Sequence, residues 1–225
     1  HGDESLGVEV LEELEKERGD FDWTIGNPKA FKIKKRKFEN DLNRSAPGDP
    51  KSSIYEQRRA SELITRSKQY QYTIDLHGTV KNTGIFIIIT NPTEANLKLA
   101  GMLGIDKIVI WPSFSPELEG PLSEYFPCGL EIECGPKNSP QIKQQLKNCL
   151  LKFLETYQDN ETKNTKELLA NKQVFEVYGS LGQQPEIELK EFQKAVFDGE
   201  MFFPLLIGSY DNLFCYKMKQ VKEVM

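Results

Sequence analysis

The sequence predicts a mixed α/β fold, with a largely parallel sheet flanked by helices and a small β-rich C-terminal region. Two nearly continuous apolar segments, residues 85–90 and 107–111, have the length and composition of strands that are buried on both faces. Helical patterns separate these runs from neighbouring strand patterns, and such alternation is typical of a largely parallel sheet. Beyond residue 166 short strand patterns dominate, so we expect the β-rich region there.

The first half of the chain supplies most of the predicted sheet. In the first helix, Val8, Leu11 and Leu14 recur at intervals of three between charged residues, which is typical of an amphipathic helix. Proline and glycine at 45–50 predict a loop before the next helix. The predicted elements are, in order, helix 6–17, a short apolar segment 23–31, helix 54–70, strand 71–76 ending at His77, strand 85–90, helix 94–102 and strand 107–111.

The second half begins with a strand at 129–134 and a helix that Ser139 caps and Pro140 opens. The polar stretch 159–166 predicts a linker, and short strands are expected after it at 174–178, 201–208 and 213–218. We therefore predict an α/β domain at 1–158 and a small β-rich domain at 159–225. Loops that carry ligand-binding residues in α/β sheets usually follow a strand. The candidate binding residue His1 has no strand before it, so we expect a truncated N-terminus that lacks the first strand.

Composition excludes several classes of protein. With 38% hydrophobic residues, 28% charged residues and a net charge of -5, neither disorder nor a duplex-binding surface is indicated. The longest apolar run is too short to span a bilayer, and no signal peptide opens the chain. Four cysteines without C-x-x-C spacing suit reduced thiols. We expect a cytoplasmic protein that binds neither nucleic acid nor membrane, with its oligomeric state open between monomer and homo-oligomer.

Both histidines of the chain belong to a candidate zinc site. His1 is followed by Glu4, and His77 ends a predicted strand, where ligand sites of α/β sheets gather. Two imidazoles and one carboxylate are a common ligand set for catalytic zinc, which keeps a further position for water. A glutamate at this spacing from a histidine arises by chance roughly one time in six. The placement of His77 therefore carries more weight than the short motif.

Cationic and amide side chains suggest a substrate contact. Arg44 beside Asn43 offers a fork of donors plus an amide, which suits a substrate carboxylate, although a surface ion pair is the commoner role of a loop arginine. Arg36 is able to stabilise an oxyanion, but its basic neighbours make a solvated face the default interpretation.

Carboxylates offer a general base and orienting groups. Glu133 ends a predicted inner strand and is a candidate base, with a paired structural carboxylate as the alternative. Glu131 points to the same face of a regular strand, so the pattern does not decide between the two. Asp41 and Asp75 are candidates for orienting the ligand histidines, and capping or loop hydrogen bonds are at least as common.

These elements together resemble a known family. In order, the chain contains His1-x-x-Glu4, Arg36, Asp41-Leu42-Asn43-Arg44, Asp75-Leu76-His77 and Glu133-Cys134-Gly135-Pro136. The set resembles the succinylglutamate desuccinylase/aspartoacylase family, most closely aspartoacylases, which share their site with zinc carboxypeptidases. Residues 26–30 and 55–60 add to the resemblance, which covers 1–136 well and is faint beyond.

The resemblance implies a zinc-carboxypeptidase-like fold and a zinc-dependent amidohydrolase that releases a carboxylic acid and a free amino acid from an N-acyl amino acid. The implied roles are one zinc ion on His1, Glu4 and His77, carbonyl stabilisation by Arg36, carboxylate binding by Asn43 and Arg44, a C-terminal tyrosine contact from Tyr210 or else Tyr216, and water activation by Glu133. Alternatives are a carboxypeptidase-like hydrolase of small peptides and a catalytically idle metal- or ligand-binding module.

One departure concerns the substrate. The aspartoacylases that this chain resembles have a further arginine shortly before the catalytic glutamate, which binds the second carboxylate of the substrate. Residues 119–130 of this chain contain no arginine. A dicarboxylic substrate is therefore expected only if Lys81 or Lys137 replaces that contact. The sequence leaves the acyl group and the amino acid undetermined.

Overall fold

The computed structural model describes residues 1–111, 121–210 and 212–221. Eight strands form one sheet in the order β1-β4-β2-β3-β5-β8-β7-β6. The strands are β1 (Thr73–Gly78), β2 (Gly84–Ile89), β3 (Lys107–Ile110), β4 (Gly129–Gly135), β5 (Gln173–Leu181), β6 (Ala195–Phe197), β7 (Glu200–Leu205) and β8 (Cys215–Val221). The α-helices are α1 (Ser5–Glu17), α2 (Pro28–Lys32), α3 (Tyr55–Ser67), α4 (Glu94–Met102), α5 (Pro140–Asn160) and α6 (Thr165–Leu169), with 3-10 turns at Leu42–Arg44 and Leu122–Tyr125.

The predicted mixed α/β fold is confirmed. Strand β1 pairs parallel with β4, and β2, β3 and β5 form a second parallel set. The two sets meet where β4 and β2 pair antiparallel. Strands β8, β7 and β6 then extend the sheet by antiparallel pairing. The β-rich C-terminal region thus continues the same sheet through β5, and the division into two domains stays a prediction.

Local differences from the predicted elements have physical causes. The predicted linker 159–166 contains the end of α5 and the start of α6, because the Asn164 side chain accepts a hydrogen bond from the Glu167 N–H and caps a new helix. The strand predicted at 107–111 ends at Ile110, so Trp111 lies just past it. Strand β6 was not predicted because three residues are too few for a pattern.

The two faces of the sheet differ in character. Leu130 and Ile132 of β4 pack into the larger core with Leu6, Leu14 and Leu146, on the face covered by α1 and α5. Because side chains alternate along a strand, Glu131 and Glu133 lie on the opposite face. The in-register pairs Asp75 with Glu131 and His77 with Glu133 place four polar side chains there. This face carries the candidate site.

Strand β1 forms one edge of the sheet. The N–H groups of Thr73 and Thr79 donate to the carbonyls of Cys128 and Cys134 at 3.0 and 2.9 Å, on the side of β4. Among the described residues no strand pairs with its other side. That side faces an open groove of about 1490 Å³, which residues 20–24, α1 and α5 line with mostly apolar and aromatic side chains.

The helices and the cysteines are the features on which the predictions about membrane and redox environment depend. Across the parts of the chain that the structure describes, no helix is long and apolar enough to cross a membrane. All four cysteines are free thiols, and three of them are buried.

Candidate metal centre and substrate cleft

A buried hydrogen-bond network fixes the loop that holds Arg36 and Asp41. The Glu56 carboxylate is fully buried and accepts hydrogen bonds from the Asn27 amide at 2.9 Å and from the backbone N–H groups of residues 38, 39 and 40 at 3.0–3.1 Å. Asn27 in turn accepts from the Ala30 N–H at 3.0 Å and caps α2. The two stretches that support the family resemblance, 26–30 and 55–60, therefore act together as the scaffold of this loop.

Close backbone packing positions the first ligand pair. A Cβ atom at Gly2 would lie 2.1 Å from the carbonyl carbon of Ala30, so only glycine fits between His1 and α1. The tight approach brings the His1 ring over the sheet face. Glu4 immediately precedes α1, and its Oε2 accepts a hydrogen bond from the Gly78 N–H at 3.0 Å. The ligand motif is thus tied to the end of β1.

Four donor atoms converge on one point between His1, Glu4 and His77. The Nδ1 atoms of the two imidazoles are 3.2 Å apart, His1 Nδ1 lies 2.8 Å from Glu4 Oε1, and His77 Nδ1 lies 3.1 Å from Glu4 Oε2. The side chains of the three residues are 5–7% exposed. Their ligand atoms all fall within 4.8 Å of one another, so the geometry suits a single metal ion.

The outer ring nitrogens face carboxylates. His1 Nε2 lies 3.2 Å from Asp41 Oδ1, and Asp41 also accepts hydrogen bonds from the Arg36 guanidinium at 2.9 and 3.0 Å. His77 Nε2 lies 3.3 Å from Asp75 and 3.5 Å from Glu131, although neither contact has hydrogen-bond geometry. Carboxylates in these positions orient ligand histidines with Nδ1 toward the metal. Asp75, His77 and Glu131 also form a second group with metal-ligating atoms.

The donor set fits zinc by its chemistry. Two imidazole nitrogens and a carboxylate are the ligands zinc takes in hydrolytic sites. Burial opposes ionisation of Glu4, yet its hydrogen bond and charge interaction with His77 lower the pKa of Glu4 to about 2. Burial also lowers the pKa of His77, but Asp75 and Glu131 outweigh it and raise that pKa well above its ordinary value. A divalent cation would relieve this cluster of buried charge.

Glu133, the predicted general base, lies beside the donor set. It pairs in register with His77, and its Oε2 atom is buried without a hydrogen-bond partner. Burial raises the pKa of Glu133 to about 8, despite the opposing charge of His77. A carboxyl with this pKa is able to accept and return a proton near neutral pH.

The predicted substrate-binding residues line one cleft together with His1 and His77 of the donor set. The Asn43 amide is fixed at both ends, because its Nδ2 donates to Glu131 at 2.8 Å and its Oδ1 accepts from the Leu122 N–H at 2.8 Å. The guanidinium of Arg44 donates a hydrogen bond to the Asn43 carbonyl at 3.3 Å, and Arg44 lines the cleft. Burial raises the pKa of Tyr210 to about 12, so its phenol stays a donor.

Sequence reasoning missed part of the cleft. Trp111 and Ile88 also line it, and Tyr216, which was the second choice for a tyrosine contact, lies there as well. The position of Trp111 directly after an inner strand was the available signal. The neighbours of the two glutamates differ, because Glu131 accepts a hydrogen bond from the Asn43 amide whereas Glu133 pairs in register with His77. The choice of Glu133 as the base stays a prediction.

The pKa shifts predict how pH affects the metal-free protein. Glu133 keeps a proton up to about pH 8 in the folded state, whereas it ionises near 4.5 in the unfolded chain. The stabilisation from this proton is complete below pH 4.5 and is lost as pH rises through 8. The raised pKa values of Glu131 and His77 act in the same direction, and the lowered pKa of Glu4 acts only below pH 4.5.

We therefore expect the free energy of unfolding of metal-free protein to fall between pH 5 and pH 8, as measured by urea denaturation in a chelator. Glu133→Gln should flatten that dependence, since glutamine does not titrate. Stability that rises over this interval would contradict the assignment of these shifts.

The amino-acid sequence matches a known protein family. A family model described as the succinylglutamate desuccinylase/aspartoacylase catalytic domain matches residues 1–159. A probable aspartoacylase of Trichodesmium erythraeum (strain IMS101) is 30% identical over 155 residues, which are 60% of this chain and 53% of that protein. One of Prochlorococcus marinus (strain NATL2A) is 29% identical over 194 residues, 76% of this chain and 63% of that protein. The chain thus spans between half and two thirds of the length of these relatives.

Solved structures show the same fold at low sequence identity. Murine aminoacylase 3 superposes with a TM-score of 0.71 and 19% identity, covering 98% of this chain and 92% of the other. The succinylglutamate desuccinylase from Chromobacterium violaceum gives a TM-score of 0.66 and 14% identity, covering 99% and 82%. The likeness extends over the C-terminal strands as well as the α/β part.

Proposed function

The chain belongs to the succinylglutamate desuccinylase/aspartoacylase family, and from that membership we propose that it is a zinc-dependent hydrolase that cleaves the amide bond of an N-acyl amino acid. One observation carries the proposal. The metal-ligating atoms of His1, Glu4 and His77 converge on the sheet face where the unpartnered Oε2 of Glu133 is buried.

Zinc held by His1, Glu4 and His77 would lower the pKa of water toward neutrality and polarise the scissile carbonyl. Glu133 accepts a proton as water adds to the carbonyl carbon, and it returns that proton to the nitrogen as the C–N bond breaks. The products are a carboxylic acid and an amino acid. Arg36, held by Asp41, carries a positive charge toward the oxygen of the carbonyl, where negative charge develops.

The carboxylate of the substrate is assigned to Asn43 and Arg44. Arg44 supplies a charged fork, and Asn43 retains a second amide hydrogen besides the one given to Glu131. Tyr210 is assigned as a further donor from the C-terminal region. Leu206, Tyr210 and Tyr216 of that region line the cleft, which favours a small N-acyl amino acid over a peptide. The free thiols support action in the cytoplasm.

A hydrolysis screen tests the proposal. Zinc-loaded protein is incubated with N-acetyl and N-succinyl amino acids and with unblocked dipeptides, and the release of free amino acid is measured. We expect one zinc per chain and turnover of acyl amino acids. Faster turnover of dipeptides would favour a carboxypeptidase-like hydrolase. Bound zinc without any turnover would favour an idle binding module.

A further inference from the structure

Besides Arg36, which is assigned to the scissile carbonyl, the described part of the cleft offers one cation for a substrate carboxylate. Arg36 and Arg44 are the cations that line it within the described residues, and Arg36 is committed to Asp41 at 2.9 and 3.0 Å. Arg44 is thus left to pair with a substrate carboxylate. The stretch 112–120, which lies outside the described residues, contains no lysine or arginine.

Neither lysine considered as a replacement reaches the cleft. Lys137 pairs with Asp3 at 2.9 Å, at the entrance of α1. Lys81 extends toward Gly208, and its charge acts on Glu191. Among the described residues that line the cleft, no lysine and no third arginine is left for a second substrate carboxylate.

Part of the cleft lining is aromatic. The rings of Trp111 and Tyr216 contact edge to face with centroids 4.5 Å apart, and Tyr210 contacts Tyr216 in the same way at 5.6 Å. We define Trp111, Tyr210 and Tyr216 as the aromatic wall. Ile88 and Leu206 add aliphatic side chains to the lining of the same cleft. The ring faces of such a surface gain from burying a large apolar group.

The aromatic wall lies in the same cleft as Arg44, the residue assigned to the substrate carboxylate. Arg44, Trp111, Tyr210 and Tyr216 all line this cleft. In an amino acid the carboxylate and the side chain leave the same carbon atom, so a substrate held by Arg44 directs its side chain to this wall.

We propose that the aromatic wall selects N-acyl amino acids with a large apolar or aromatic side chain, and that the site disfavours acidic ones. This inference rests on the proposed function and names its substrate class. Trp111 is the specificity-determining residue, because its indole supplies the largest apolar surface of the wall.

The test compares kcat/KM of zinc-loaded protein for N-acetyl-L-phenylalanine, N-acetyl-L-aspartate, N-acetylglycine and N-benzoylglycine. We expect the phenylalanine derivative to exceed the aspartate derivative at least about tenfold. Trp111→Ala should lower the ratio of phenylalanine to glycine turnover by about tenfold to a hundredfold. Trp23→Ala is the matched control, since Trp23 is the other tryptophan and lines the groove beside β1. It should keep the ratio of the unmodified protein.

Several outcomes would overturn the proposal. A preference for the aspartate derivative would show that the cleft accepts a second carboxylate. A preference for N-benzoylglycine over N-acetyl-L-phenylalanine would assign the aromatic wall to the acyl group. An unchanged ratio in Trp111→Ala would remove its role, and Trp111→Leu replaces that variant if circular dichroism shows misfolding.

Failure of the proposed function has a different signature, because none of the four compounds would then be hydrolysed. In that case calorimetric binding of the phenylalanine and aspartate derivatives to Glu133→Gln tests the cleft by itself. Tighter binding of the phenylalanine derivative supports the inference, and equal or weaker binding overturns it.

Discussion

Replacing Glu133 with glutamine is expected to lower kcat by about 10²- to 10⁴-fold while one zinc ion per chain remains bound. Glutamine keeps the shape of the side chain but does not accept the proton of the attacking water. The metal ligands are unaffected, because Glu133 contributes no atom to the His1, Glu4 and His77 group. Steady-state kinetics and metal analysis of the same preparation measure both quantities.

Glu131→Gln is the matched control for this variant. Glu131 is a buried carboxylate on the same face of β4, but its hydrogen-bond partner is the Asn43 amide. We expect its replacement to raise KM more than it lowers kcat, since it disturbs the orientation of Asn43. A loss of kcat in Glu131→Gln as large as in Glu133→Gln would contradict the assignment of Glu133 as the base.

Replacing His77 with asparagine is expected to abolish stoichiometric zinc binding and, with it, hydrolysis. His77, the residue before the last of β1, is assigned as a zinc ligand. Three acidic residues approach its ring, Glu4 at 3.1 Å, Asp75 at 3.3 Å and Glu131 at 3.5 Å. Competition with a chromophoric chelator measures the affinity for zinc.

Asp41→Asn should weaken zinc binding by about 10- to 100-fold, since it removes an orienting partner of His1 and leaves the ligands in place. The same chelator competition measures this change.

Two further variants locate the metal, because His77 belongs to both groups of metal-ligating residues. Glu4→Gln affects the group with His1, and Glu131→Gln affects the group with Asp75. We expect Glu4→Gln to lose zinc and Glu131→Gln to retain it. The reverse result would move the metal to the group of Asp75, His77 and Glu131, and would refute the proposed centre.

Sequence patterns predicted the parts of the site that depend on local order. Glu4 directly precedes α1, His77 lies on β1, and Asp41 caps the 3-10 turn that carries Asn43. In each case a short segment fixes the side chain, so a short motif is informative. Strands β2 and β3 were predicted for a similar reason, because each contains a short continuous apolar run.

The remaining parts depend on contacts between distant segments. Trp111 meets Tyr216 because β3 pairs with β5 and β5 pairs with β8, and no local pattern encodes that order of strands. The different neighbours of Glu131 and Glu133 likewise depend on distant segments, since both side chains share one face of β4. The 3-residue strand β6 forms through its pairing with β7 rather than through its own composition.

The open edge of β1 has a consequence for hydrogen exchange. In a parallel ladder the N–H groups of successive residues point alternately to the two sides of a strand. Thr73 and Thr79 donate toward β4, whereas the N–H of Gly78 points the other way and is taken up by Glu4. The N–H groups of Ile74 and Leu76 therefore face the groove. Their deuterium uptake should be fast beside slowly exchanging neighbours, and an extended segment that occupies the groove would make the whole strand slow.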